Sequence, residues 1–145
     1  MNIEDFVFKH TTSLRVRYAE TDKMGVVYNS NYFAYFEVGR TELMRNYGVP
    51  YTSLEKAGYI LPVIETHAEF KNPALYDDIL EIETNYRYKH SPIIRFEYNI
   101  FRADTTIAIG YTMHSFVNLK TLKPVKPPPA LAEILGEYVR NFSEK

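Results

Sequence analysis

The chain contains no cysteine and no tryptophan. The first absence excludes disulfides, thiolate metal centres and cysteine catalysis. It also fits a reducing compartment, so a cytoplasmic location is expected. Histidine is sparse, at 4 residues, and His10, His90 and His114 are scattered without forming a cluster. No apolar run approaches the roughly 18 residues needed to cross a bilayer, so no integral membrane segment is expected. The stretch from Met1 to Lys9 carries Glu4 and Asp5 and no apolar core, so no signal peptide is expected. A net charge of −1 leaves no global basic field to draw nucleic acid or an anionic surface. No P-loop, nucleophile elbow or dinucleotide fingerprint is present.

What is abundant is tyrosine, at 13 residues beside 9 phenylalanines. An apolar ring with a polar tip suits interfaces and half-wet pockets. It suits β-structure equally well. The 145 residues are expected to form one domain, spanning 1–145.

Alternation and helical spacing divide the chain. Leu14, Val16 and Tyr18 alternate with Ser13, Arg15 and Arg17, which predicts a half-buried strand. Tyr32, Phe36, Gly39, Leu43 and Tyr47 recur at three- and four-residue spacing over Asn31 to Tyr47, the strongest helix. Phe33 and Val38 widen its apolar side, and Gly48 and Pro50 close it. Gly39 costs about 1 kcal/mol relative to alanine inside a helix, which marks a close-packing point under a sheet. A short helix is expected from Tyr51 to Ala57. Strands follow over Leu61 to Phe70, Leu80 to Lys89, Ile94 to Ile100 and Ile107 to Leu119, with turns at His90-Ser91-Pro92 and Ala103-Asp104-Thr105. Leu131, Ile134, Leu135, Tyr138 and Phe142 suggest an amphipathic C-terminal helix. The layout is an α+β layer, one antiparallel sheet with one principal helix against it.

Between the first strand and the long helix, Asp22 precedes Gly25 and a helix start capped by Asn29, Ser30 or Asn31. A helix N-terminus presents unpaired N–H groups and partial positive charge. A carboxylate beside it can act as nucleophile or base, and a free N–H can polarise a carbonyl. The bland reading of Asp22 is an Asx-turn.

The run Arg17-Tyr18-x-Glu20-Thr21-Asp22-x-x-Gly25-Val26-Val27-Tyr28-x-x-Asn31-Tyr32, continuing to Phe36-Glu37-x-x-Arg40, resembles the 4-hydroxybenzoyl-CoA thioesterase family of hotdog folds. It is most similar to the bacterial acyl-CoA thioesterase branch associated with the Tol-Pal region. Phe70-x-x-Pro73-Ala74-x-Tyr76-Asp77-Asp78 and Gly110-Tyr111-Thr112-x-His114 agree with it. The resemblance implies a curved sheet wrapped around a central helix, with protomers paired into a continuous sheet as a dimer or homotetramer. It implies hydrolysis of an acyl-CoA thioester without metal or cofactor. The family's catalytic acid falls on Asp22, and its carbonyl-polarising amide on the N–H of Asn29. Gly25, Val26, Val27, Tyr28 and Tyr32 then line the substrate. That branch commonly carries histidine where this chain has Asn29. A backbone amide survives the change; a titrating side chain does not.

Other residues carry less. Glu65 and His67 share one strand face with Val63 and Glu69, too few ligands for a metal. Arg87, Lys89, His90 and Ser91 surround one hairpin and offer a dock for coenzyme A phosphates, with Lys120, Lys123 and Lys126 as a second basic group. Two other readings stay open: hydrolysis of acyl carrier protein thioesters, and a non-enzymatic acyl-CoA-binding module.

Overall fold

A computed structural model describes residues 2–144. Strand β1 covers Phe8–Arg15. Helix α1 covers Asn31–Asn46 and α2 covers Tyr51–Lys56. Strands β2 (Tyr59–Ile60), β3 (Val63–Phe70), β4 (Ile79–Tyr86), β5 (Ile93–Arg102), β6 (Thr105–Ser115) and β7 (Val117–Asn118) follow, and α3 (Pro129–Ser143) ends the fold. Five strands form an antiparallel sheet in the order β1-β4-β5-β6-β3, and β2 pairs with β7.

The alternation in β4 and β5 aims Leu80, Ile82, Thr84 and Tyr86, then Ile94, Phe96, Tyr98 and Ile100, at one face. Helix α1 lies on that face through Tyr32, Tyr35, Phe36, Gly39 and Leu43. Phe36 stacks on Tyr98 with ring centroids 4.3 Å apart. Gly39 is the closest approach: a Cβ there would stand 2.5 Å from Thr84 Oγ1 and 2.8 Å from Ile82 Cγ2. This is the hotdog arrangement, a sheet closed over one long helix.

Several boundaries differ from the sequence reading. β1 starts at Phe8 and ends at Arg15, so Tyr18 lies outside it and is 78% exposed. Pro62 separates Leu61 from β3, and the last long strand breaks at Phe116, whose N–H turns to the Pro92 carbonyl at 2.7 Å. Phe33 and Val38 of α1 face outward rather than widening the buried side. In α3 the buried line is Leu131, Leu135 and Val139, while Tyr138 and Phe142 pack edge-on to Phe6. Strand β3 is a sheet edge exposed on both faces, with a register shift between Val63 and Glu65.

Candidate active site

After β1, Val16 is pinned by reciprocal backbone bonds, donating to Asp78 and accepting from Asp77. A single 3-10 turn, Tyr18–Glu20, then folds the chain inward. Thr21 bridges Val27, and Asp22 N–H donates to the Val26 carbonyl at 2.9 Å, closing a tight hairpin whose tip needs Gly25 at φ +79°. Val26 bridges Leu75, and Val27 N–H donates to the Ala74 carbonyl at 2.8 Å, so the hairpin is fixed to the loop before β4.

Asp22 is half-buried at this turn. Its Oδ1 accepts from Met24 N–H at 2.8 Å and Val26 N–H at 3.4 Å, an Asx-turn. Among the described residues no donor reaches its second oxygen. The hairpin therefore gathers Asp22, Gly25, Val26 and Val27, and the chain runs through Tyr28 and Asn29 into α1. Tyr28 is half-exposed. Tyr32 is buried, with its ring 5.7 Å from Tyr35 and 5.2 Å from Phe70, so it backs the site as a wall.

The start of α1 leaves particular groups free. Asn31, Tyr32 and Phe33 N–H donate to the carbonyls of Tyr28, Asn29 and Ser30, each three residues back. Tyr28 N–H donates to the Glu20 carbonyl. Among the described residues, the N–H groups of Asn29 and Ser30 have no acceptor, and both residues are exposed. Among the described residues no side chain caps the helix; Ser30 occupies the cap, and Asn31 instead donates its side-chain amide to the Glu20 carbonyl at 2.8 Å.

Glu20 was not singled out by the sequence reading. Its carboxylate accepts from Arg17 N–H at 2.8 Å, Arg17 Nε at 3.2 Å and Tyr35 O–H at 3.0 Å. Burial alone would raise its pKa, but these donors, with the Arg17 charge, hold it below the ordinary carboxylate range. Burial and the neighbouring carboxylate push the Tyr35 phenol up. The visible trace of this in the sequence is the Arg17–Glu20 spacing of three; Tyr35 lies too far along the chain to be paired by pattern. Arg102 forms a second clamp, reaching Asp78 Oδ2 at 2.6 Å and the Pro73 carbonyl at 3.2 Å.

The basic hairpin lies elsewhere. Arg87, Lys89 and Ser91 line a groove of about 420 Å³ on the outer sheet face, together with Arg95, whose guanidinium sits 3.9 Å from the Tyr111 ring centre. His90 is not part of the groove; its ring meets the Tyr88 hydroxyl and its N–H donates to Glu4. The 10 residues of β5 separate this hairpin from Arg102 and the Asp22 loop, about 30 Å at strand spacing. His67 is exposed on β3, 3.6 Å from Glu69 rather than joined to Glu65.

His114, one of the scattered histidines, proves to be deeply buried. Its Nδ1 faces the Leu61 carbonyl at 3.1 Å, so that nitrogen carries the proton and donates. Nε2 then accepts from Thr112 O–H at 2.9 Å, and Thr112 accepts from Tyr98 O–H. Burial, with the Arg40 charge acting in the same direction, pulls its pKa down to about 4 against the opposing Leu61 bond. It is a neutral, fixed group at physiological pH.

An antiparallel sheet over one long helix is the hotdog layout. The chain belongs to the thioesterase-like superfamily, whose model matches residues 16–135. It is 31% identical over 116 residues to the acyl-CoA thioesterase YbgC of Haemophilus influenzae (strain ATCC 51907 / DSM 11121 / KW20 / Rd), covering 79% of this chain and 85% of that one. Its structure superposes on the DHNA-CoA thioesterase of Staphylococcus aureus with a TM-score of 0.83 and 29% identity, over 94% of this chain and 95% of the other. It also superposes on a hypothetical protein of Aquifex aeolicus with a TM-score of 0.81 and 33% identity, over 87% of this chain and 98% of the other.

Proposed function

We propose that this chain hydrolyses the thioester of an acyl-CoA, with Asp22 as the reacting carboxylate and the Asn29 N–H as donor to the carbonyl oxygen. The observation that carries this reading is the pair of open valences at one loop: an Asp22 oxygen without a donor and an Asn29 N–H without an acceptor. The family membership and the thioesterase relatives support it. Negative charge develops on the carbonyl oxygen as the carbon becomes tetrahedral, and one preorganised donor there is typically worth about 2.7–4 kcal/mol. Asp22 can attack the carbonyl, releasing coenzyme A thiolate and leaving an anhydride that water cleaves. Alternatively it takes a proton from a water that attacks directly. Neither route needs a metal or cofactor.

The protein works as an oligomer, a dimer or tetramer built on the unpaired edge of β3, and acts in the cytoplasm. An open edge strand is a template for another strand, and the outward Phe33 and Val38 of α1 stand on a surface that a second copy would cover.

The Asx-turn supports a second reading, in which Asp22 only shapes the hairpin. Asp22→Asn separates the two. An asparagine oxygen can still accept from Met24 and Val26 N–H, but it cannot serve as nucleophile or base. We expect the variant to melt like the parent and to lose at least about a hundredfold in turnover of acyl-CoA. Near-normal rates would assign Asp22 to the turn alone.

A further inference from the structure

A cavity of about 400 Å³ beneath the middle of α1 takes no part in the chemistry proposed above. Met44, Leu61 and Phe96 form its apolar wall. Arg40 is the cation among its lining residues, and its side chain is only 17% exposed. The nearest carboxylate, Glu37, stands 3.9 Å away and is itself 70% exposed. An ion pair that long and that wet is weak, while a guanidinium withdrawn from water calls for a close anionic partner. The other polar groups do not supply one. His114 is neutral and already bonded on both nitrogens. Tyr51 accepts from Leu61 N–H at 3.3 Å, which leaves its O–H as a further donor into the cavity. The Tyr98 hydroxyl faces Arg40 as well, but as a neutral acceptor it leaves the charge unpaired. The cavity is thus apolar along its wall, with a cation that lacks a close anion and a Tyr51 hydroxyl free to donate.

Its position gives it a use. Val63, the first residue of β3, pairs with His114 of this cavity. The other end of β3, Phe70, touches Tyr32 at the start of α1. If β3 pairs antiparallel with a two-fold copy of itself in full register, Phe70 of one protomer would lie beside Val63 of the other. In such a dimer each cavity would stand next to the α1 start and Asp22 hairpin of the second copy.

We propose that this cavity receives the far end of the acyl group held at the partner's Asp22, and that Arg40 selects acyl groups ending in a carboxylate. Met44, Leu61 and Phe96 cover the methylenes, and the guanidinium pairs with the terminal carboxylate in place of Glu37. The assignment rests on the thioesterase reading and names the substrate class it acts on.

Binding and turnover are tested separately. Coenzyme A thioethers cannot be hydrolysed, so their affinities report on the pocket alone. Calorimetry on the wild-type protein would compare S-alkyl-CoA with S-(ω-carboxyalkyl)-CoA of equal length, from about four to ten carbons. At the best length the carboxylate member should bind about tenfold or more tightly, the range of a charge-assisted hydrogen bond. Arg40→Met should erase that difference while leaving the alkyl member unchanged, and Arg40→Lys should keep part of it. Equal affinities at every length in the wild type would overturn the proposal. So would Arg40→Met weakening both ligands alike with an unchanged melting profile. If Arg40→Met does not fold, the wild-type series and Arg40→Lys decide: a carboxylate preference that lysine does not alter would assign it to another group. A carboxylate preference in binding with no hydrolysis of any acyl-CoA would sink the thioesterase reading and leave the pocket. Hydrolysis of alkanoyl-CoA with no preference for the dicarboxylic esters would do the reverse.

Discussion

The Tyr35 phenol donates to the Glu20 carboxylate at 3.0 Å, and through that bond α1 is held against the segment that leads into the Asp22 hairpin. The Glu20 carbonyl fastens the same junction from its other side, accepting from Tyr28 N–H and the Asn31 side chain. Glu20 has a depressed pKa in the folded chain. A depressed carboxylate binds its proton more readily when unfolded. Its contribution to stability is therefore full above the unfolded value of 4.5 and is lost as pH falls through the folded value. Glu20→Gln should flatten the acid limb of a melting-temperature profile below about pH 4.5. Tyr35→Phe should cost about 1–3 kcal/mol by removing a donor to a half-buried charge. An acid limb identical to wild type in Glu20→Gln would show that other carboxylates govern it.

At Asn29 the backbone, not the side chain, is expected to matter. Asn29→Ala keeps the N–H and should turn over within about threefold of wild type. Asn29→Pro removes it and should lose about a hundredfold or more in kcat, the scale of a lost oxyanion donor. Circular dichroism on both variants checks that α1 still forms. Equal rates in the two would place the donor elsewhere, with the Ser30 N–H as the next candidate.

The groove beside Arg87 and Lys89 predicts a kinetic signature. Phosphates bound far from the thioester contribute equally to ground and transition states, so they lower KM without raising kcat. Lys89→Glu should raise KM for acyl-CoA severalfold, leave kcat nearly unchanged, and lose its effect at high salt, where the screening length falls from about 10 Å at 0.1 M to about 3 Å at 1 M. An N-acetylcysteamine thioester lacks the phosphates and should not sense the change. With about 30 Å of β5 between the hairpin and its own Asp22 loop, a CoA docked there would serve an Asp22 on another copy. Equal effects on both substrates would move the dock to Lys120, Lys123 and Lys126.

Such sharing would make assembly measurable. Sedimentation at micromolar concentration should show a dimer or tetramer. Ile64→Lys puts a charge on the open β3 edge, a common way of blunting strands, and should shift the distribution toward monomer with a parallel fall in kcat. A wild-type monomer of 17.0 kDa with full activity would contradict the shared site.

The most legible parts were those where one face is buried and the other wet. β4 and β5 alternate without a break, so both strands were placed from the sequence, although β4 ends at Tyr86 rather than Lys89. The spacing of Tyr32, Phe36, Gly39 and Leu43 likewise marked the face of α1 that meets the sheet. β1 was misplaced because Lys9 to Ser13 are polar and carry little pattern. Its neighbour β4, not its own composition, holds it in the sheet. A turn at Asp22 was visible because Gly25 and the helix start lie within a few residues of it; that the turn closes a hairpin was not. Glu20 and the Arg40 cavity were not, because their partners come from distant stretches: Tyr35 for one, Leu61, Phe96 and His114 for the other. Local pattern reports what neighbours along the chain do, and these groups meet only after the sheet closes.

Gly39 shows how far one missing atom reaches. The depth at which α1 rests is set by the absence of a methyl above Thr84 and Ile82, and α1 is a rigid rod. Any side chain at 39 would act as a wedge under that rod, lifting its far end away from the Asp22 hairpin. The seating of the α1 start beside the Asp22 hairpin is thus gauged at a residue well along the helix.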